Sequence, residues 1–354
     1  MSLEIINFFK VFSPSAIAFF IGIAMTPMVS HILYTNKMWK KKAGKIALDG
    51  SATPLFDKLH EHKEVGTPRM GGVIIWLSTL ITTGGFWLAG LWLPETIFEK
   101  LNFLSREQTW LPLATLVTAA LIGLIDDLMQ IRASRESYVG GLKFRHRLLL
   151  VTIIGLIGAW WFYVKLEVIT LHLPFYGDVM IGWWVVPLFV LIMIALFSSS
   201  VIDGLDGLSG GVMAIIFGAY AGIAFFQNQI DLAAFCAVIT GSILAFLWFN
   251  IPPARFYMSE TGILGLTTTL TVIAFLTRSV VTLPIIALPL VATVASNIIQ
   301  ISSKKLRGKK VFLIAPLHHH FEAIGWPAYK VVMRYWVIGI VAAIIGMVIT
   351  LIGS

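Results

Sequence analysis

The sequence has a single cysteine, Cys236, and only 12% of its 354 residues are Asp, Glu, Lys or Arg. One thiol excludes an intrachain disulfide and any zinc site built on paired thiolates. So little charge argues against a soluble core wrapped in a polar shell: 58% of the residues are hydrophobic, and no long polar block separates the apolar runs. The expected class is an all-α integral membrane protein, one polytopic domain over 1–354. The centres of the expected spans lack acidic residues and no internal repeat is visible. Both absences weigh against a secondary transporter, which usually carries ionisable groups near the bilayer midplane.

What is present is a series of apolar runs, each near the roughly 20 residues that a hydrocarbon core requires of a helix. Ten spans are expected, near 12–34, 70–93, 109–125, 148–165, 182–200, 210–226, 232–249, 262–277, 281–300 and 335–353. The first is too long for a signal-peptide core and its lysines follow rather than precede it, so it is read as a retained helix. The loops after odd-numbered spans hold 21 of the 26 lysines and arginines. By the positive-inside rule those loops face the cytoplasm and both termini lie outside. That asymmetry accounts for most of the net charge of +8 without any nucleic-acid partner.

Acidic residues gather at the same inner face. "LIGLIDDLMQIR", residues 121–132, ends an apolar run on Asp126 and Asp127. Such a pair alone could be a solvated helix end, yet adjacent carboxylates repel and call for a cation. Mg²⁺ suits that role, since it usually takes one or two carboxylates together with phosphate oxygens and water. "VIDGLDGLSGG", residues 201–211, sets Asp203 and Asp206 one helical turn apart among glycines that let backbone approach a ligand. "APLHHHFE", residues 315–322, holds His318, His319 and His320, groups suited to phosphate or sugar oxygens and to buffering protons. "KEVGTPRMGG", residues 63–72, adds Lys63 and Arg69, and "WFNIPPARFYMSETG", residues 248–262, adds Asn250, Tyr257 and Glu260. Carboxylates for Mg²⁺ beside basic groups at one membrane face suit phosphoryl transfer from a soluble donor to a lipid, which asks mainly for positioning and charge neutralisation.

The strings GTPRMGG, GLIDDLMQIR, DGLDGLSGG, WFN, KLRGKKVFLIAPLHHHFEAIGWPA and MRYW, in that order, span essentially the whole chain. They resemble the polyprenyl-phosphate N-acetylhexosamine-1-phosphate transferases, and APLHHHFEAIGWP is most similar to the branch with a muramoyl-pentapeptide donor. The resemblance implies ten helices, both termini outside, often a homodimer, and a bacterial inner (plasma) membrane location. It also implies Mg²⁺ and transfer of phospho-MurNAc-pentapeptide from UDP-MurNAc-pentapeptide to undecaprenyl phosphate, giving lipid I and UMP. Carried over by position, it implies that Asp126 engages the lipid phosphate and Asp127 lies beside the uridine-diphosphate site. Asp203, with Asp127 and Glu260, would hold the metal, supported by Asp206. Asn250, His318, His319 and His320 would face donor phosphates and sugar, His318 among the catalytic groups, with Lys63 as a further phosphate contact and Tyr257 at the uracil. Five positions depart from the family pattern: Ser259-Glu260 for Gly-Asp, Tyr257 for Phe, Ser200 for Asn and Arg69 for Thr. They keep two alternatives open, a GlcNAc-1-phosphate transferase and a non-catalytic membrane transporter or scaffold.

Overall fold

A computed structural model describes residues 2–40, 65–132 and 141–354. In chain order its helices are α1 (Leu3–Thr35), α2 (Val73–Trp92), the short α3 (Ile97–Leu101), α4 (Trp110–Arg132) and α5 (Phe144–Trp160). After a two-stranded hairpin follow α6 (Val185–Ser198), α7 (Leu208–Phe226), α8 (Ile230–Asn250), α9 (Ser259–Leu276), the one-turn α10 (Leu283–Ile286), α11 (Leu288–Arg307), α12 (Leu317–Ala323) and α13 (Ala328–Ile352). Among the described residues, nine helical stretches are long and apolar enough to cross a membrane: α1, α2, α4, α5, α6, α7, α8, α9 and α13, with α5 and α6 extended by their flanking turns. The protein is therefore a multi-pass helical membrane protein.

Helix α9 forms the centre of the bundle, with 89% of its most apolar stretch buried against 28% for α1. The sequence explains its position. Gly262 and Gly265 leave its surface flat, so that a Cβ on Gly72 would run into the Gly262 backbone and one on Gly265 would lie 3.1 Å from the Leu116 carbonyl. Threonines 267, 268 and 277 are buried, and their hydroxyls bond back to carbonyls of their own helix, so these polar groups need no outside partner. The outer helices carry the lipid-facing residues, such as Phe20 and Met28 on α1, Leu149 and Ile157 on α5 and Val337 and Val341 on α13.

Two features depart from the sequence reading. The fold is not purely helical: β1 (Thr170–Leu173) and β2 (Gly177–Met180) pair antiparallel, with His172 opposite Asp178. Pro174 and Gly177, at φ +95°, make the turn that an apolar-run scan overlooks. The expected ninth span, 281–300, is broken at Ala287 into α10 and α11, each with proline in its first turn. Helix α11 buries Thr293, Ser296, Gln300 and Ser303 and exposes Ile298, Ile299 and Ile301, so its polar stripe faces protein and its apolar side faces outward. The stripe has a task. Gln300 accepts from Val311 N and Phe312 N at 3.0 Å and donates to Phe312 O at 2.8 Å, Ser303 donates to Lys309 O, and Ser296 accepts from Leu317 N. These bonds pin the segment that leads into the histidines of α12.

Candidate functional site

Three turns meet at the end of the bundle formed by the C-terminus of α4 and the N-termini of α7 and α9. The segment before α2 is strapped to the segment before α9: Tyr257 N donates to Pro68 O at 2.9 Å, Gly71 N to Tyr257 O at 2.8 Å and Gly72 N to Met258 O at 3.2 Å. Glycine is needed at 71 and 72, since a Cβ at either would strike Phe256 or the Gly262 backbone. Asn250, at the end of α8, ties the remaining turns together. Its carbonyl accepts from Gly207 N and its amide donates to Phe256 O, both at 2.9 Å. It is 2% exposed, a strut between turns whose side-chain amide is already engaged at both ends.

The paired aspartates, both buried, are held by different partners. Asp126 accepts from Leu142 N at 2.5 Å and from Gln130 Nε2 at 2.8 Å, with Arg147 Nη1 at 3.6 Å. Asp127 Oδ1 accepts from Nε and Nη2 of Arg69, each at 3.2 Å, and Oδ2 accepts from the backbone N and hydroxyl of Thr261 at 2.9 and 2.7 Å. A carboxylate offers about four lone-pair sites, and those of Asp127 are all taken. Arg147 Nη1 also reaches Glu260 Oε1 at 2.5 Å, bridging Glu260 to Asp126. Burial works against the charge on Arg69, but Asp127, Glu260 and Asp203 outweigh it and raise its affinity for the proton. The guanidinium is a permanent cation at the centre of the carboxylates.

Asp203 belongs to the same cluster. Its Oδ1 accepts from Ser209 Oγ at 2.7 Å and its Oδ2 from Ser259 N at 2.8 Å. Asp206 Oδ2 caps Ala254 N at 3.2 Å, which makes it a support for the neighbouring turn. The histidines divide. A Cβ on Gly204 would lie 2.5 Å from His318 Nε2 and 2.9 Å from His319 Nε2, so two imidazoles press on the glycine between Asp203 and Asp206. The His319 ring is oriented by Glu322, 2.7 Å from its Nδ1. His320 turns to its own loop, where Nδ1 lies 3.3 Å from Leu313 N.

The structure brings Asp126, Asp127, Asp203, Glu260, His318 and His319 into one region; Asn250, expected to face the donor, is instead a strut beside the supporting Asp206, and Tyr257, expected at the uracil, contributes backbone to the strap. Lys63 lies outside the described residues. Arg147 and Thr261 were missed. Arg147 reads as a loop charge that sets topology, and nothing in the sequence distinguishes it from its neighbour Arg145. A cavity of about 430 Å³, lined by Glu107, His172, Asp178, Gln229 and Arg278 among others, lies at the hairpin end and shares none of these residues.

Mg²⁺ can be tested against this arrangement. Among the described residues no three His, Cys, Asp or Glu side chains form a ready cage, but Mg²⁺ rarely relies on one. Glu260 Oε2 and Ser259 Oγ are buried without a hydrogen-bond partner, and each Asp203 oxygen accepts one hydrogen bond. Hard oxygen donors with unused capacity beside a net negative cluster fit the ion. Asp127, with its lone pairs taken, does not extend that set.

Residues 109–278 match the family model described as glycosyl transferase family 4. Proteins named phospho-N-acetylmuramoyl-pentapeptide-transferase are similar over nearly the full length. That of Chloroflexus aggregans is 34% identical, covering 88% of this chain and 83% of its own. That of Anoxybacillus flavithermus is 37% identical, covering 82% and 86%. That of Bacillus mycoides is 34% identical, covering 95% and 96%.

Proposed function

Because the chain belongs to the phospho-N-acetylmuramoyl-pentapeptide-transferase family, and is thus a phosphosugar transferase of peptidoglycan synthesis, we propose that it moves phospho-MurNAc-pentapeptide from UDP-MurNAc-pentapeptide to undecaprenyl phosphate at the bacterial plasma membrane. The observation that carries this reading is the gathering of Asp126, Asp127, Asp203 and Glu260, from three separate segments, at one end of a membrane bundle, three of them paired with Arg69 or Arg147 and Asp203 bonded to the Ser259 N–H beside Glu260. A phosphate oxygen of the lipid attacks the sugar-linked phosphorus of the donor, a new P–O bond forms, the diphosphate P–O bond breaks, and UMP leaves with the electron pair. Lipid I is the other product.

Each group has a part. Asp126, held by Leu142 N and Gln130, faces the lipid phosphate and takes its last proton, which leaves the oxygen fully anionic. His318 and His319, aimed at Gly204, offer ring nitrogens to the donor phosphates and sugar. Arg147, bridging Asp126 and Glu260, fixes the spacing between acceptor and metal carboxylates. Asp203 and Glu260 would hold Mg²⁺, with Asp127 restrained by Arg69. When bound, the ion supplies charge neutralisation on the diphosphate.

The test is UMP release from detergent-solubilised protein with undecaprenyl phosphate, Mg²⁺ and either UDP-MurNAc-pentapeptide or UDP-GlcNAc. Release with the muramoyl donor alone is expected, and Asp203→Ala or Asp126→Asn abolishes it while the protein still inserts. Release only with UDP-GlcNAc selects the GlcNAc-1-phosphate transferase, and release with neither donor points to a transporter or scaffold.

A further inference from the structure

Arg69 lies on the strap before α2, where its backbone N–H donates to Met38 O at 2.8 Å and the flanking Pro68 and Gly71 pair with Tyr257. The side chain therefore starts from a fixed point. Its two donors converge on one oxygen of Asp127 while Thr261 covers the other. Among the described residues, Asp127 pairs with Arg69 and Asp126 and Glu260 with Arg147, while Asp203 acts on Arg69 through its charge, so four carboxylates counted as ionised exceed the two guanidinium groups by two charges. That excess matches one divalent ion, and the unused acceptor capacity sits on Glu260 Oε2 and Asp203.

We infer that Arg69 is a resident counter-ion that removes Asp127 from the ligand set of the divalent cation, and so weakens and localises the binding of that cation to Asp203 and Glu260. The inference rests on the Mg²⁺-assisted reading above. Its physical basis is twofold. A guanidinium that feels the charges of Glu260 and Asp203 would repel a cation held by them, and a carboxylate saturated by four hydrogen bonds has no lone pair to donate. Removing the guanidinium reverses both effects at once.

Mn²⁺ alone, titrated into detergent-purified full-length protein and followed by the EPR signal of the free ion, reads this without turnover. Arg69→Thr is expected to tighten Mn²⁺ binding by about tenfold or more, the scale on which neighbours of metal ligands tune affinity. Adding Asp127→Asn to Arg69→Thr removes the gain, while Arg69→Lys, which keeps the charge, stays within about threefold of the parent. Thermal unfolding of each variant in detergent checks that it is folded. Unchanged or weaker binding in folded Arg69→Thr overturns the inference, as does a gain that survives Asp127→Asn, or no Mn²⁺ binding by any form. A parent protein that binds Mn²⁺ but releases no UMP refutes the proposed reaction instead, and the Arg69→Thr titration still decides this point.

Discussion

Ser259 has φ +57°, in the left-handed region that side chains rarely adopt. The conformation turns its N–H onto Asp203 Oδ2, so the local strain directly orients a proposed metal ligand. Where the family pattern has glycine, this chain accepts strain. Ser259→Gly should relieve about 1–2 kcal/mol of it, partly offset by the greater freedom of glycine in the unfolded chain, for a net gain of about 0.5 kcal/mol. Thermal unfolding in detergent should show a small rise with UMP release undiminished. Ser259→Val, branched at Cβ and ill suited to positive φ, should insert in the membrane yet lose turnover. A fall in stability for the glycine variant would refute the strain argument.

Among the elements, the crossing of α4 and α9 sets the distance between the aspartate pair and Glu260. Gly123 makes it possible, since a Cβ there would collide with the Glu260 carbonyl and lie 2.8 Å from Thr261 N. Gly123→Ala must push α9 away, breaking the Thr261 bonds to Asp127 at a cost of about 1–3 kcal/mol for overpacking. Gly84 on α2 meets nothing within 4 Å and serves as the control. Gly84→Ala should leave UMP release and unfolding temperature near the parent values, whereas Gly123→Ala should lower turnover far more than expression. Equal behaviour of the two would show that the crossing does not govern the site. Helix α11 works on the same scale: its inward polar stripe delivers the histidines, a role hidden in a sequence that reads as one more span. At the opposite end, His172 and Arg278 hydrogen-bond Asp178 and hold its carboxyl below the ordinary range, which fastens the hairpin to the end of α9.

On the scale of the molecule, the lysine and arginine count predicts that the carboxylate end faces the cytoplasm and the hairpin end faces outward. Cys236 is fully buried, so a Cys236→Ala background gives clean labelling. An impermeant maleimide should reach Tyr176→Cys, on the exposed hairpin turn, in intact spheroplasts. It should reach Arg307→Cys, at the end of α11, only after permeabilisation. Labelling of both from one side would overturn the orientation.

Apolar run length by itself determined that the chain crosses a membrane many times, because every backbone polar group in lipid must be satisfied within a helix. Punctuation by Asp-Asp, Asp-Gly and His-His-His marked the turns that carry chemistry, because charge placed beside apolar helices needs a local reason. Sequence could not say which cation answers which carboxylate. Arg69, Arg145 and Arg147 look alike in a string, and only the packing of α4 against α9 and the strap before α2 place Arg69 on Asp127 and Arg147 between Asp126 and Glu260. Pairings across 58 and 113 residues are decided by close helix contact, which no local pattern records.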